Sequence, residues 1–107
     1  MVFIESPWFD VWRSKNLSDA AFDALQNTLF VEPHAGDLIP ASGGLRKLRI
    51  ALTGRGKRGG ARVIYYYWLD RDCVYLLFAF AKNARSDLTK DQVRRLGAAM
   101  REELDDG

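Results

Sequence analysis

Seven basic side chains and no acidic one fall between residues 38 and 69: Arg46, Lys47, Arg49, Arg55, Lys57, Arg58 and Arg62. Residues 1–37 carry a net charge of −4 and residues 70–107 of −1, while the whole chain is only +2. A cationic block between acidic flanks suits a polyanion such as nucleic acid, because Lys and Arg replace the counterions condensed on each phosphate. It equally describes a solvated basic face, and charge by itself leaves both readings open. Two more bases, Lys82 and Arg85, follow the most apolar run of the chain.

Other chemistries fall away on residue type. There is one Cys (Cys73), one His (His34) and no CxxC pair, so neither a protein-made zinc site nor any other metal or cofactor is implied. The glycines around Gly54-Arg55-Gly56-Lys57 match neither a Walker loop nor a GxGxxG turn. His34 lies in a Pro/Gly-rich stretch and reads as an exposed loop residue rather than a triad member. A single cysteine excludes an internal disulfide; Cys73 reads as an inert core thiol, and a reducing cytoplasm is the expected location. The longest apolar run, Cys73 to Ala81, is far short of the roughly 20 residues of a membrane span. The opening Met-Val-Phe-Ile-Glu has no basic segment leading into a signal-peptide core, so export by that route is not expected.

The elements that must position the cations follow from periodicity. Val2 to Glu5 reads as a first strand, with Pro7 starting a short helix through Trp8, Phe9, Val11 and Trp12. Ser18 can cap a second helix whose stripe is Ala21, Phe22, Leu25 and Leu29, ending near Val31 because Pro33 disfavours helix before it. Pro33 to Gly44 reads as a loop, with Leu38-Ile39 anchoring it in the core. Leu45 to Leu52 alternates, placing Leu48, Ile50 and Leu52 on one face and Lys47 and Arg49 on the other. A Gly- and cation-rich turn over 53–60 leads to a strand over Ala61 to Trp68. In it, alternation among Tyr65, Tyr66, Tyr67 and Trp68 buries one pair and exposes the other. After the turn Asp70-Arg71-Asp72, Cys73 to Ala81 reads as a central strand buried on both faces. Short connections make these three strands an antiparallel meander. Asp87 or Thr89 can cap a last helix from Lys90 to about Leu104, with Val93, Leu96, Met100 and Leu104 on one stripe. The expected order is β-α-α-β-β-β-α, a single α+β domain over residues 1–107.

Three segments taken together are informative: Gly43-Gly44-Leu45-Arg46-Lys47-Leu48-Arg49, Gly56-Lys57-Arg58-Gly59-Gly60-Ala61-Arg62-Val63-Ile64-Tyr65-Tyr66, and Phe80-Ala81-Lys82-Asn83-Ala84-Arg85-Ser86-Asp87-Leu88. In this order and spacing the chain resembles the RelE-like toxins of bacterial type II toxin–antitoxin systems, most closely their HigB branch. Phe3-Ile4-Glu5-Ser6-Pro7 and Pro33-His34-Ala35-Gly36-Asp37-Leu38-Ile39 extend the resemblance over nearly the whole chain.

That resemblance implies a RelE-like fold, cleavage of mRNA in the ribosomal decoding site, and inhibition by a cognate antitoxin, expected to be a helix-turn-helix protein from an adjacent gene. It implies attack by a ribose 2′-OH on the adjacent phosphate, which needs a base, cations for the crowded phosphate, and an acid for the leaving oxygen. Lys47, Arg49, Arg62 and Lys82 match the catalytic basic positions. Lys47 is the better base candidate, provided burial lowers its pKa, because Arg holds its proton. Arg46, Arg55, Lys57, Arg58 and Arg85 are the expected contacts to RNA and ribosome. Where the namesake toxins carry an Arg this chain has Asn83, and where they carry a Tyr proposed to stack on the substrate base it has Thr89. A member of this fold that binds antitoxin or ribosome without cutting RNA is the alternative.

Overall fold

The computed structural model describes residues 1–52, 60–84 and 87–106. In chain order these form β1 (Val2–Glu5), α1 (Pro7–Asn16), α2 (Asp19–Val31), β2 (Asp37–Leu38), β3 (Arg46–Ile50), β4 (Ala61–Trp68), a single 3-10 turn (Leu69–Arg71), β5 (Cys73–Ala81) and α3 (Lys90–Asp106). Five strands make one sheet in the order β1-β5-β4-β3-β2, with β1 parallel to β5 and every other pair antiparallel.

Each helix starts where its sequence says it should. The Ser6 hydroxyl accepts from the Phe9 N–H, with Pro7 in the first turn of α1, and the Ser18 hydroxyl accepts from the Ala21 N–H of α2. At α3 the cap is Thr89: its Oγ1 accepts from the Gln92 N–H at 3.1 Å while the Gln92 side chain accepts from the Thr89 N–H at 2.9 Å. This reciprocal box satisfies two otherwise orphaned donors, and such a cap typically stabilises by about 1 kcal/mol.

Helices cover the sheet on both sides. One core joins Phe9 of α1 and Leu25 and Leu29 of α2 to Val63, Tyr65, Val74 and Leu76. The other joins Leu96 and Met100 of α3 to Leu45, Ile64, Leu77 and Phe80. Strand β5 serves both, which explains its unbroken apolar run. Its register with β4 slips at one point: Ile64 pairs with Phe78 but Tyr65 pairs with Leu76. Leu77 is the extra residue, so Leu77 and Phe78 in succession both serve the α3 core.

Two-sided cover also corrects the expected alternation of the aromatic run. Tyr65 is fully buried, and Tyr66, Tyr67 and Trp68 are half-buried, so neither pair is left in solvent. Two further differences lie in the loop after α2. Asp37 and Leu38 pair with Lys47 and Arg46 as a short edge strand. Leu38 is not a core anchor: it is 59% exposed, and Ile39 alone packs inward, against the α3 core. The loop is fixed instead by polar contacts. Tyr65 Oη accepts from the Gly36 N–H at 2.9 Å and donates to the Pro33 carbonyl at 2.8 Å. Buried Ser42 donates to the Ile39 carbonyl and accepts from the Leu45 N–H. Gly43 and Gly44 follow at φ +76° and +108°, backbone that a side chain would strain, and turn the chain into β3.

Candidate functional site

The cations of β3 and β4 meet on the α3 side of the sheet. Leu45, Lys47 and Arg49 alternate onto one face, and Leu45 is part of the α3 core. Across the ladder Lys47 pairs with Ile64 and Arg49 with Arg62, so Lys47 is diagonal to Arg62. Diagonal neighbours lie roughly 7–8 Å apart, within reach of long side chains. Lys47, Arg49 and Arg62 therefore form one cationic cluster, as the alternation of β3 led one to expect.

Arg62 is the unusual member, because it is 8% exposed. Among the described residues it makes no ion pair, and its one hydrogen bond runs from Nη1 to the carbonyl of adjacent Ala61 at 3.2 Å. A guanidinium offers five N–H donors in a fork suited to a phosphate. Taking it out of water while placing it opposite Arg49, a like charge, costs stability. Both costs make sense where an anion docks.

Lys47 is held differently. Its Nζ donates to both carboxylate oxygens of Asp87, at 3.1 and 3.0 Å. The bond from Lys47 holds the Asp87 carboxyl below its ordinary range, with help from the Leu88 N–H and the nearby Arg62 charge. Asp87 was legible in the sequence only as a possible helix cap. The cap is Thr89, and Asp87 is the acidic partner of the cluster.

The remaining basic positions separate. Lys82 is exposed in the turn after β5, where its N–H donates to the Gly60 carbonyl at 3.0 Å, next to the start of β4. Arg46 alternates onto the opposite face: its guanidinium donates to the carbonyls of Gly36 at 2.7 Å and His34 at 3.3 Å, away from the cluster. Arg55, Lys57, Arg58 and Arg85 lie outside the described residues. Cys73 is buried, and burial pushes its thiol up. His34 is exposed, with its ring edge-on to Tyr67. Among the described residues no cluster of His, Cys, Asp and Glu has a metal-holding arrangement, and no helix is long and apolar enough to cross a membrane.

Known proteins share this arrangement of elements. The family model described as the RelE toxin of the RelE/RelB toxin–antitoxin system matches residues 2–104. Among solved structures, the chain is similar to the free state of the E. coli toxin RelE, in a mutant with two arginines replaced by alanine. That match has a TM-score of 0.57 and 12% identity, over 92% of this chain and 95% of that one. At that identity the structural match speaks to the fold alone.

Proposed function

The chain belongs to the RelE toxin family and is a type II toxin that inhibits translation by cleaving mRNA, and we propose that it does so on the ribosome through the Lys47–Arg49–Arg62 cluster. In this reading a ribose 2′-OH gives up its proton and its oxygen attacks the adjacent phosphorus. The bond to the 5′ oxygen of the next nucleotide breaks, and that oxygen takes up a proton. Arg62 and Arg49 stabilise the extra negative charge on the crowded phosphate, and Lys82 serves it from the neighbouring turn. Lys47 is committed to Asp87 in the free protein, so its service as base begins with RNA parting that pair. Arg55, Lys57, Arg58 and Arg85 spread the hold on ribosomal RNA. The observation that carries the proposal is buried Arg62 facing Arg49 across β3 and β4.

The family pairs toxin with antitoxin, and we propose a helix-turn-helix antitoxin encoded beside this chain; co-expression and pull-down with the neighbouring small gene test that pairing. Cleavage is tested by inducing the chain and mapping new mRNA 5′ ends on translated and untranslated copies of one message. Cutting confined to the translated copy is expected. Equal cutting of both copies overturns the ribosome requirement, and growth arrest without new ends overturns the nuclease reading.

A further inference from the structure

Helix α3 carries its charges against its own dipole. Its first two turns hold Lys90, Arg94 and Arg95 against one acid, Asp91, while residues 102–106 include Glu102, Glu103 and Asp105 and no base. A helix presents partial positive charge at its N-terminus and partial negative charge at its C-terminus, so both groups sit where they weaken it. Glu102 and Asp105, three positions apart, also repel each other. Glu102 and Glu103 are exposed, and no salt bridge among the described residues uses either.

These acids border a groove. About 380 Å³ in volume, it lies between the C-terminal half of α3 and the chain running from β1 into α1. Ile4, Trp8 and Met100 are among its apolar walls, Glu5, Glu102 and Glu103 are its charged residues, and no base among the described residues lines it. Phe3 packs into the α1–α2 core, so alternation turns Val2 and Ile4 to the α3 side of the sheet. Val2, Ile4 and Trp8 are all left exposed, and β1 has no strand on its outer side among the described residues. Three strand spacings, about 14 Å, separate β1 from β3, so the groove is distinct from the Lys47–Arg49–Arg62 cluster.

We propose that this groove is a docking surface for the cognate antitoxin, which seats there an apolar segment bearing Lys or Arg. Apolar side chains of the segment cover Ile4 and Trp8, and its cations meet Glu102 and Glu103. The proposal rests on the toxin–antitoxin reading above and gives it a location. Charge selects the occupant. An apolar groove alone accepts many partners, but three carboxylates around it repel RNA, and they repel a second copy that approaches by the same face. A cationic segment is the complement. An exposed Trp beside aliphatic neighbours is suited to the centre of an interface, where a few aromatic anchors carry most of the binding energy. The acids that weaken α3 in the free chain find their partners in the complex.

The probe is the protein of the same genome whose co-expression restores growth to cells expressing this chain, titrated calorimetrically against the purified chain. Glu102→Lys/Glu103→Lys should raise the melting temperature of the free chain, because the end of α3 then agrees with its dipole, yet weaken binding about 100-fold or more. That opposition separates recognition from misfolding. Trp8→Ala, at an exposed position, should keep the melting temperature and weaken binding about tenfold or more. Both variants should still cut mRNA. Undiminished affinity in either variant overturns the docking surface and leaves the antitoxin pairing standing. A lower melting temperature in the double Lys variant shows that the acids serve the fold, and overturns the proposal. If no protein of that genome restores growth, the pairing falls and this occupant falls with it. Self-association of the free chain that both variants abolish assigns the groove to a second copy and overturns the antitoxin as its occupant.

Discussion

Arg49 and Arg62 occupy directly opposed positions in the β3–β4 ladder, and Arg62 as a residue is only 8% exposed. Placing two like charges opposite each other opposes folding, so removing one should separate stability from activity.

Replacing Arg62 therefore needs a variant that keeps its packing. Its burial means that Arg62→Ala removes packing contacts as well as charge. Arg62→Met should fold with a melting temperature at or above wild type while losing about 100- to 1,000-fold in single-turnover cleavage on saturated ribosomes. Near wild-type cleavage by the Met variant would place the phosphate elsewhere.

Tyr65→Phe should destabilise without touching the cluster. The phenol is buried, and burial pushes its pKa up, so the neutral hydroxyl is the form that spans Pro33 and Gly36. Its loss strands a buried N–H and costs about 1–3 kcal/mol. Urea unfolding should show a lower midpoint at unchanged slope. An unchanged midpoint would mean that the loop before β2 needs no such tie.

The Lys47–Asp87 pair can be read by titration. Asp87 has a folded-state pKa below its unfolded value, so its contribution to stability is present above the ordinary carboxylate range of about 3.9. That contribution is lost as pH falls through the lower folded value. With Asp87 56% exposed, it is worth no more than about 1 kcal/mol. Carboxyl NMR should place the Asp87 midpoint below that of an unpaired aspartate, and Lys47→Met should raise it. A midpoint indifferent to Lys47 would show the pair to be absent in solution.

Gly97→Ala sets two effects against each other. Alanine in a helix interior gains about 1 kcal/mol over glycine. Here the new Cβ would lie 2.7 Å from the Ser42 carbonyl oxygen, whose residue is pinned by its own hydroxyl contacts. Overpacking typically costs about 1–3 kcal/mol, so the clash wins and thermal melting should shift down. A rise in melting temperature would show that α3 yields freely to the loop at Ser42.

Much of this fold was legible because single residues act locally. Ser6, Ser18 and Thr89 announce their helices, and the alternation from Leu45 to Leu52 put Lys47 and Arg49 together. What escaped depends on partners distant in sequence. The exposure of Leu38 follows from Tyr65 and Ser42 doing the anchoring, and the Asp87–Lys47 pair joins residues forty positions apart. The Leu77 bulge is silent in a run where every residue is apolar. The burial of Arg62 is likewise invisible to a pattern that reads every arginine as outward.

The parallel pairing of β1 with β5 also sets an order in time. The first strand finds its partner in one of the last elements made, and Ser6 bonds the Leu77 carbonyl across 71 positions. Closing so long a loop is slow, whereas β3, β4 and β5 join through short connections. The meander should thus form first, and with it the facing of Arg49 and Arg62. While the chain is being synthesised, β1 and the groups it carries wait for β5 to emerge, so the sheet cannot close over the α1–α2 core until most of the polypeptide has left the ribosome.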